Sequence, residues 1–409
     1  MITVEKLTPA WRHAFLVSRN SLFTPISADY LDRVENPASP FPARTFIGRN
    51  GSKVVSWGSF YPRKLELGPA RAPGLKIAMA CAIGTLPDHQ RQGLGAKVWR
   101  AAEESLSKGI DGILVYTGEG GPGYRFYRAM GYLPLVYPRA LRLTVTGELR
   151  GVPGMPMIAT FAESRDDLRQ RGEVFDNCYR GYAGFIGDRP ASLNAWADRS
   201  FFYDEGSLGC TPQISWLEDA TTGRCIAYAI WAGPIQKVDW KKGVVEIWEL
   251  SCANDFPVEF LSRLLQPVIA AACGGNGHVD WWAVNGHSLT EKMLALGFAE
   301  RPRSLCVLGK VFDPSQKLKD LLQTKAEPWR AAECICSAGR RVDMRVEGCD
   351  VEIEPDAATR MILGRSTATE ELRHGLVTIR PYQRMRAISE GLDGVLPYVP
   401  WSYFASEFI

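Results

Sequence analysis

Residues 83–96 read IGTLPDHQRQGLGA. An apolar run from Leu75 to Leu86 stops at Pro87. Gly93 and Gly95 then open a segment, Gln92 to Lys108, whose apolar positions Leu94, Val98, Ala101, Ala102 and Leu106 recur at helical spacing. The order is strand, turn, helix. Amide N–H groups at a helix start lack intrahelical acceptors and carry partial positive charge. Glycines let a pyrophosphate approach that backbone closely, and Arg91 adds a fixed charge beside it. No Gly-Lys-Ser/Thr follows, so this is not a Walker loop. It is not a dinucleotide fingerprint either: the third glycine is missing at Val98, and no acidic residue follows on a later strand. Taken by itself, the loop leaves open a bare helix start with no ligand.

The flanking sequence places this loop inside a larger unit. Thr45 to Tyr61 alternates around a turn at Asn50-Gly51, which predicts a hairpin. Ile110 to Tyr116 reads as a buried strand, Phe126 to Met130 as a helix ended by Gly131, and Leu141 to Val145 as a strand. This first block spans residues 1–150, and the Gly/Pro-rich GELRGVPGMP, Gly147 to Pro156, reads as its linker. The block 151–312 repeats the order. Cys225 to Trp231 and Val244 to Cys252 are predicted strands, Val258 to Ala272 a helix, Val279 to Val284 a strand, and Ser288 to Leu296 a helix. Tyr127 to Leu143, YRAMGYLPLVYPRALRL, parallels Lys292 to Leu308, KMLALGFAERPRSLCVL. An offset of 165 positions is too long for a solenoid and implies two copies of one domain. The last block, 313–409, begins with a segment near Phe312 to Gln323. Alternating strands follow (Cys334 to Ala338, Arg341 to Val346, Cys349 to Ile353), then a helix from Pro355 or Asp356 to Leu363. It ends in the aromatic tail PYVPWSYFASEFI. The predicted class is α/β, with mixed sheets flanked by helices.

Composition narrows the function classes. The 409 residues are 46% hydrophobic and 23% charged, and 48 basic against 45 acidic residues leave a net charge of +3. That balance gives no argument for nucleic acid. No run reaches the ~20 apolar residues of a membrane span. The start, MITVEKLTPAWRHAF, shows no secretion pattern. The ten cysteines form no CxxC pair, so we expect reduced thiols, no metal site and a cytoplasmic location.

Gln90 to Gly95 follows the pattern Q-x-x-G-x-G, and Tyr127-Arg128-Ala129-Met130-Gly131-Tyr132 follows Y-x-x-x-G-[FY]. Together, in this order, the two motifs resemble the acetyl-CoA pyrophosphate loop and the following helix of GNAT N-acetyltransferases. The whole chain resembles the Eis-type (enhanced intracellular survival) enzymes: a GNAT domain, a second GNAT-like domain without the loop, and a domain similar to sterol carrier proteins. Glu119-Gly120-Gly121 and VEIEPDAATRMILGR (residues 351–365) add to that likeness. Block two carries Asn254-Asp255-Phe256-Pro257 where the loop would stand, so it is expected to be a scaffold.

The resemblance implies direct acetyl transfer from acetyl-CoA to an amine. An alkyl ammonium must lose a proton first, the departing thiolate benefits from a proton donor, and the thioester oxygen benefits from a backbone N–H. Tyr127 is the implied acid. Tyr124 is the rival, because Pro122-Gly123-Tyr124 adds length after Glu119-Gly120-Gly121. The implied base is the terminal carboxylate of Ile409, with Glu407 as alternative base or as a substrate contact. Ile83, Gly84 and Thr85 would pair with the pantetheine, and Arg91, Gln92, Gly93, Leu94, Gly95 and Ala96 would hold the pyrophosphate. Gly118 and Glu119 would lie along the cofactor. Phe23 and Asp29, with Trp11 and Phe15 behind them, are the candidate acceptor contacts. A cationic, aminoglycoside-like small molecule is the implied acceptor, protein lysine or another polyamine the alternative, and a homohexamer the implied assembly. A lipid-binding protein acting through the last block is the rival from another class, and a GNAT enzyme with a longer acyl donor is another.

Overall fold

The computed structural model describes residues 2–23, 25–36, 42–68, 74–145, 156–160, 168–182, 184–186, 209–236, 241–253, 256–284, 286–302, 304–337, 341–399 and 401. The first part of the chain forms β1 (Ile2–Lys6), α1 (Arg12–Asn20), α2 (Ala28–Glu35), β2 (Arg44–Asn50), β3 (Lys53–Glu66), β4 (Leu75–Thr85), α3 (Leu94–Leu106), β5 (Gly112–Gly118), α4 (Pro122–Ala129), β6 (Leu133–Val136) and β7 (Arg139–Thr144). The second forms β8 (Met157–Thr160), α5 (Leu168–Cys178), β9 (Phe185–Ile186), β10 (Gln213–Glu218), β11 (Cys225–Ala232), β12 (Val244–Cys252), α6 (Val258–Leu264), α7 (Gln266–Cys273), β13 (His278–Ala283), α8 (Ser288–Ala295), β14 (Ala299–Glu300) and β15 (Leu305–Val311). The rest is α9 (Pro314–Gln323), β16 (Glu333–Ser337), β17 (Arg341–Val346), β18 (Cys349–Ile353), α10 (Pro355–Ile362), α11 (Ala368–Arg373), β19 (Val377–Arg380) and α12 (Met385–Val395).

Local chemistry explains where these elements depart from the sequence expectations. The helix expected from Gln92 begins at Leu94, because Arg91 (φ 59°) and Gly93 (φ 73°) are left-handed and cannot belong to a right-handed helix. The helix expected over Val258 to Ala272 is two, α6 and α7. Pro267 lacks the N–H that a continuous helix would use, so the break falls at Leu265.

Three sheets result. The first runs β1-β2-β3-β4-β5-β15-β6, with β9 beside β3, and the second runs β14-β7-β13-β12-β11-β10-β8. Each has one parallel pair among the described strands, β4 with β5 and β12 with β13. The third, β16-β17-β18-β19, is antiparallel. One continuous apolar core joins Leu65, Met79 and Leu114 of the first sheet, Ile247 and Trp281 of the second, and Val351 and Met361 of the last block.

The first two sheets exchange a strand. β7 belongs to the first block by sequence, yet it pairs with β13 and β14 in the second sheet. β15 belongs to the second block, yet it lies between β5 and β6 in the first. The sheets therefore do not follow the boundaries expected near residues 150 and 312. Tyr137-Pro138 joins β6 to β7, and this dipeptide cannot take the positive φ angles of a two-residue hairpin, so β7 leaves its sheet instead of folding back. Charges fix each borrowed strand. Lys310 on β15 bonds Glu103 of α3 at 2.9 Å and the Met130 carbonyl at 3.3 Å. Arg142 on β7 grips Asp280 of β13 with two bonds of 2.6 and 2.7 Å. Residues 1–150 expressed alone lack β15, so we expect that fragment to show no cooperative melt by circular dichroism; a single sharp transition contradicts the exchange.

Candidate functional site

β4 and β5 pair in parallel only from Ile77↔Gly112 to Ala80↔Val115. Beyond that point β4 stays with β3 and β5 stays with β15, so the two strands diverge into a wedge. The divergence is built into β4. Ala82 takes φ 48°, and the register with β3 slips between Trp57 and Ser59, a bulge that bends the strand. Among the described strands, Ala82–Thr85 pair with β3 alone, so their other edge faces the wedge and suits an extended ligand.

The glycine loop closes one end of this wedge. Leu86 N–H bonds the Val55 carbonyl at 2.9 Å, a short turn spans Pro87–His89, and Gln90 Nε2 ties back to the Thr85 carbonyl at 3.1 Å. Helix α3 closes its first bond from Lys97 N–H to the Gly93 carbonyl at 3.1 Å. The amides before Lys97 have no intrahelical acceptor. A Cβ on Gly93 would meet no atom within 4 Å, so the space over that turn is open. Open amides, a left-handed glycine and the exposed Arg91 beside them fit the pyrophosphate of acetyl-CoA.

The expected contacts fall as follows. Ile83, Gly84 and Thr85 lie on the wedge edge of β4. Arg91, Gln92 and Gly93 are exposed at the loop tip, Gly95 and Ala96 are half-buried in the first turn of α3, and Leu94 points into the core. Gly118 ends β5 on the opposite lip and Glu119 follows it, its N–H bonding the Ser304 carbonyl at 3.0 Å. Phe23 packs edge-on against Trp57 (6.3 Å between centroids) beside Gly84. Asp29 is exposed on α2 and Trp11 stacks under Arg49 at 3.9 Å; neither lines the cavity described next. Glu407 and Ile409 lie outside the described residues.

Tyr127 is buried on α4 against Trp99, 5.0 Å between ring centroids. Burial first, and the nearby Cys81 thiol second, push its hydroxyl well above the usual phenol range. The Tyr124 hydroxyl instead hydrogen-bonds Tyr137. Cys81 thus stands within electrostatic reach of Tyr127 where β4 and β5 part, and it also lines a cavity of about 140 Å³ between α1, α2, β2, β3 and β4. Phe15, Arg19, Tyr30 and Tyr61 form its walls, with the Thr45 and Ser59 hydroxyls, 3.0 Å apart, on one side. Sequence reasoning found Phe15 but missed Arg19, Tyr30, Tyr61 and Cys81. Only helical spacing from Phe15 to Arg19 hinted at one of them. Two larger hollows, about 380 and 390 Å³, lie elsewhere, beside Glu173 and Arg224 and beside Lys310 and Arg341.

The second sheet repeats the divergence after Ile247↔Trp281, but side chains bridge it. The Tyr179 hydroxyl donates to the Leu250 carbonyl at 2.5 Å, while its ring packs on Phe175 and His287, each 4.8 Å away. Cys178 is buried beside them. Its thiol is held low by a hydrogen bond from Cys252 and then by His287.

Residues 5–132, from β1 through α4 to Tyr132, match the Acetyltransferase (GNAT) family profile. The first unit is a GNAT acetyltransferase domain. The chain is accordingly an acyl-transferring enzyme. No curated protein matches the sequence. Among solved structures, the likeness in fold extends along the whole chain. A probable N-acyltransferase from Enterococcus faecalis V583 has TM-score 0.63 at 13% identity, covering 99% of this chain and 100% of its own. A GCN5-related N-acetyltransferase from Kribbella flavida has TM-score 0.59 at 14% identity, covering 99% and 98%. Eis1 from Mycobacterium abscessus has TM-score 0.58 at 15% identity, covering 99% and 98%.

A Cβ on Gly84 would sit 2.6 Å from Trp57 Cζ2 and 2.9 Å from its Cε2, and Trp57 is fully buried. We expect Gly84→Ala to cost about 1–3 kcal/mol in urea unfolding; an unchanged midpoint means that the indole can retreat.

Proposed function

We propose that this GNAT enzyme transfers an acetyl group from acetyl-CoA to the amine of a compact small molecule by direct attack, with Tyr127 as general acid. The observation that carries the reading is the meeting at Cys81 and Ala82: there the open edge of β4, the electrostatic reach of Tyr127 and the 140 Å³ cavity come together. Acetyl-CoA, when bound, supplies the acetyl group as a thioester. The amides at the start of α3 and Arg91 hold the pyrophosphate, and Ile83–Thr85 hold the pantetheine by strand-like pairing, which fixes where the thioester can lie. Tyr127, kept protonated by burial, delivers a proton to the departing sulfur. Thr45 and Ser59 lead from the cavity to the half-buried Glu35 carboxyl, which bonds Thr45. That chain offers an exit for the proton of the incoming ammonium.

The organisation we propose is Eis-type: a catalytic first unit, a second unit reduced to scaffold, and a sterol-carrier-like last block. The full-length likeness to Eis1 and the Tyr179 bridge across the second wedge support it. Aminoglycoside-type acceptors accompany that organisation, but the cavity favours smaller molecules, since drug-sized ligands fill roughly 300 Å³ or more.

Tyr127→Phe is expected to lower kcat by about 10²–10⁴ while the acetyl-CoA Kd stays within roughly threefold; wild-type turnover from this variant removes Tyr127 as the acid. An acid loses function as pH rises through its own pKa, and that of Tyr127 lies above the ordinary phenol value of about 10. Wild-type kcat should therefore show no alkaline fall below pH ~10 from this group, as a pH–rate profile will reveal.

A further inference from the structure

At the bridged divergence of the second sheet, two buried cysteines from different elements meet. Cys178 ends α5 and Cys252 ends β12, 74 positions later. Both are reduced. Cys252 N–H donates to Cys178 Sγ at 3.4 Å, and the Cys252 thiol hydrogen-bonds the same sulfur. A third donor comes from His287. Its Nδ1 accepts from Leu289 N–H at 3.1 Å, so the ring proton sits on Nε2. That proton is shared between the Cys178 carbonyl, at 2.8 Å, and Cys178 Sγ, at 3.9 Å. Tyr179 and Tyr182 pack on the imidazole, with ring centroids 4.8 and 4.9 Å from it. Both imidazole nitrogens are engaged with backbone, so His287 serves the sulfur as a donor and not as a base.

Three donors aimed at one sulfur stabilise a thiolate there. The hydrogen bond from Cys252 is the largest influence on the Cys178 thiol and, with His287, holds it below its ordinary range against burial. Cys252 is shifted the other way, upward, by its bond to Cys178 and then by burial. One sulfur is thus the nucleophile, and its partner keeps the proton. Asn177 and Ala253, each next in sequence to one of the cysteines, are exposed in the lining of the hollow of about 380 Å³. A local opening beside them suffices to admit a molecule as small as hydrogen peroxide. We propose that Cys178 and Cys252 form a peroxide-reactive dithiol, a modification site separate from the acetyl-transfer wedge. Cys178 attacks one peroxide oxygen: an S–O bond forms, the O–O bond breaks, and hydroxide leaves and takes up the proton that Cys178 had released. Cys252 then attacks the sulfur of the Cys178 sulfenic acid: the S–S bond forms, the S–O bond breaks, and the departing hydroxide leaves as water with the Cys252 proton. Two thiols and one peroxide give one disulfide and two waters, and the disulfide ties α5 to the end of β12.

The test is peptide mapping of the full chain after treatment with hydrogen peroxide. At one equivalent of peroxide, the Cys178–Cys252 disulfide should form ahead of any oxidation of Cys273, which is exposed and would react first if access alone decided. Dithiothreitol should reverse it. Cys252→Ser should stop the reaction at a sulfenic acid on Cys178, trapped by dimedone, and Cys178→Ser should leave Cys252 unreacted under the same conditions. Melting temperatures near wild type establish that each variant is folded; if either is not, the wild-type map alone decides. Oxidation of Cys273 with the pair untouched, a disulfide from either cysteine to a different one, or a sulfenic acid on Cys252 in Cys178→Ser each overturns the proposal.

Discussion

A backbone edge without a partner strand is the constraint on which the rest of this protein depends. Inside a sheet every N–H and C=O must find a partner. β4 and β5 satisfy this rule up to Ala80 and Val115 and then separate, which leaves Ala82–Thr85 with β3 as their one strand partner among the described residues. The left-handed Ala82 sets where they part, and Gly84, pressed on Trp57, sets how closely the strand lies over its own core. The second sheet separates in the same manner, yet its carbonyl at Leu250 is taken by the Tyr179 hydroxyl. The same backbone device is therefore open in one unit and bridged in the other, and the difference lies in side chains.

Strand exchange makes the two units mechanically one. β15 completes the sheet that carries the wedge, and β7 completes its neighbour. Each borrowed strand is pinned by a charge pair to the unit that receives it, Lys310 to Glu103 and Arg142 to Asp280. The position of β5, one lip of the wedge, is thus set by residues some two hundred positions later in the chain. The part of the chain with the bridged wedge still contributes to the open one, since it lends β15, the strand that pairs with β5.

The acceptor side is built from helices laid across the sheet. α1 and α2 supply Phe15, Arg19, Tyr30 and Leu31, and β3 supplies Ser59 and Tyr61. Aromatic rings give such a chamber shape, and the half-buried Arg19 stands in its wall.

Much of the first unit was legible in the letters, because short-range rules govern it. Asn50-Gly51 marked the hairpin, Pro87 the strand end, and Gly93 and Gly95 the loop, while Phe126 to Met130 marked only the latter half of the following helix, which begins at Pro122. Alternation marked β17 and β18 at their observed limits, and Val244 to Cys252 was read as a strand at the limits of β12. These readings needed only φ preferences, hydrogen-bonding capacity and periodicity, all of which act within a few residues. The strand exchange was invisible, because pairing a strand with one sheet or the other leaves its alternation unchanged. Arg19 and Cys81 were equally invisible as neighbours of one cavity, since 62 positions separate them and nothing local couples them. The sequence by itself therefore determined most of the strands and helices and the glycine turn between β4 and α3. The tertiary structure alone decided which sheet each strand joins, which of two equivalent wedges stays open, and what charge lines the chamber beside it, because each of these depends on groups brought together from far apart along the chain.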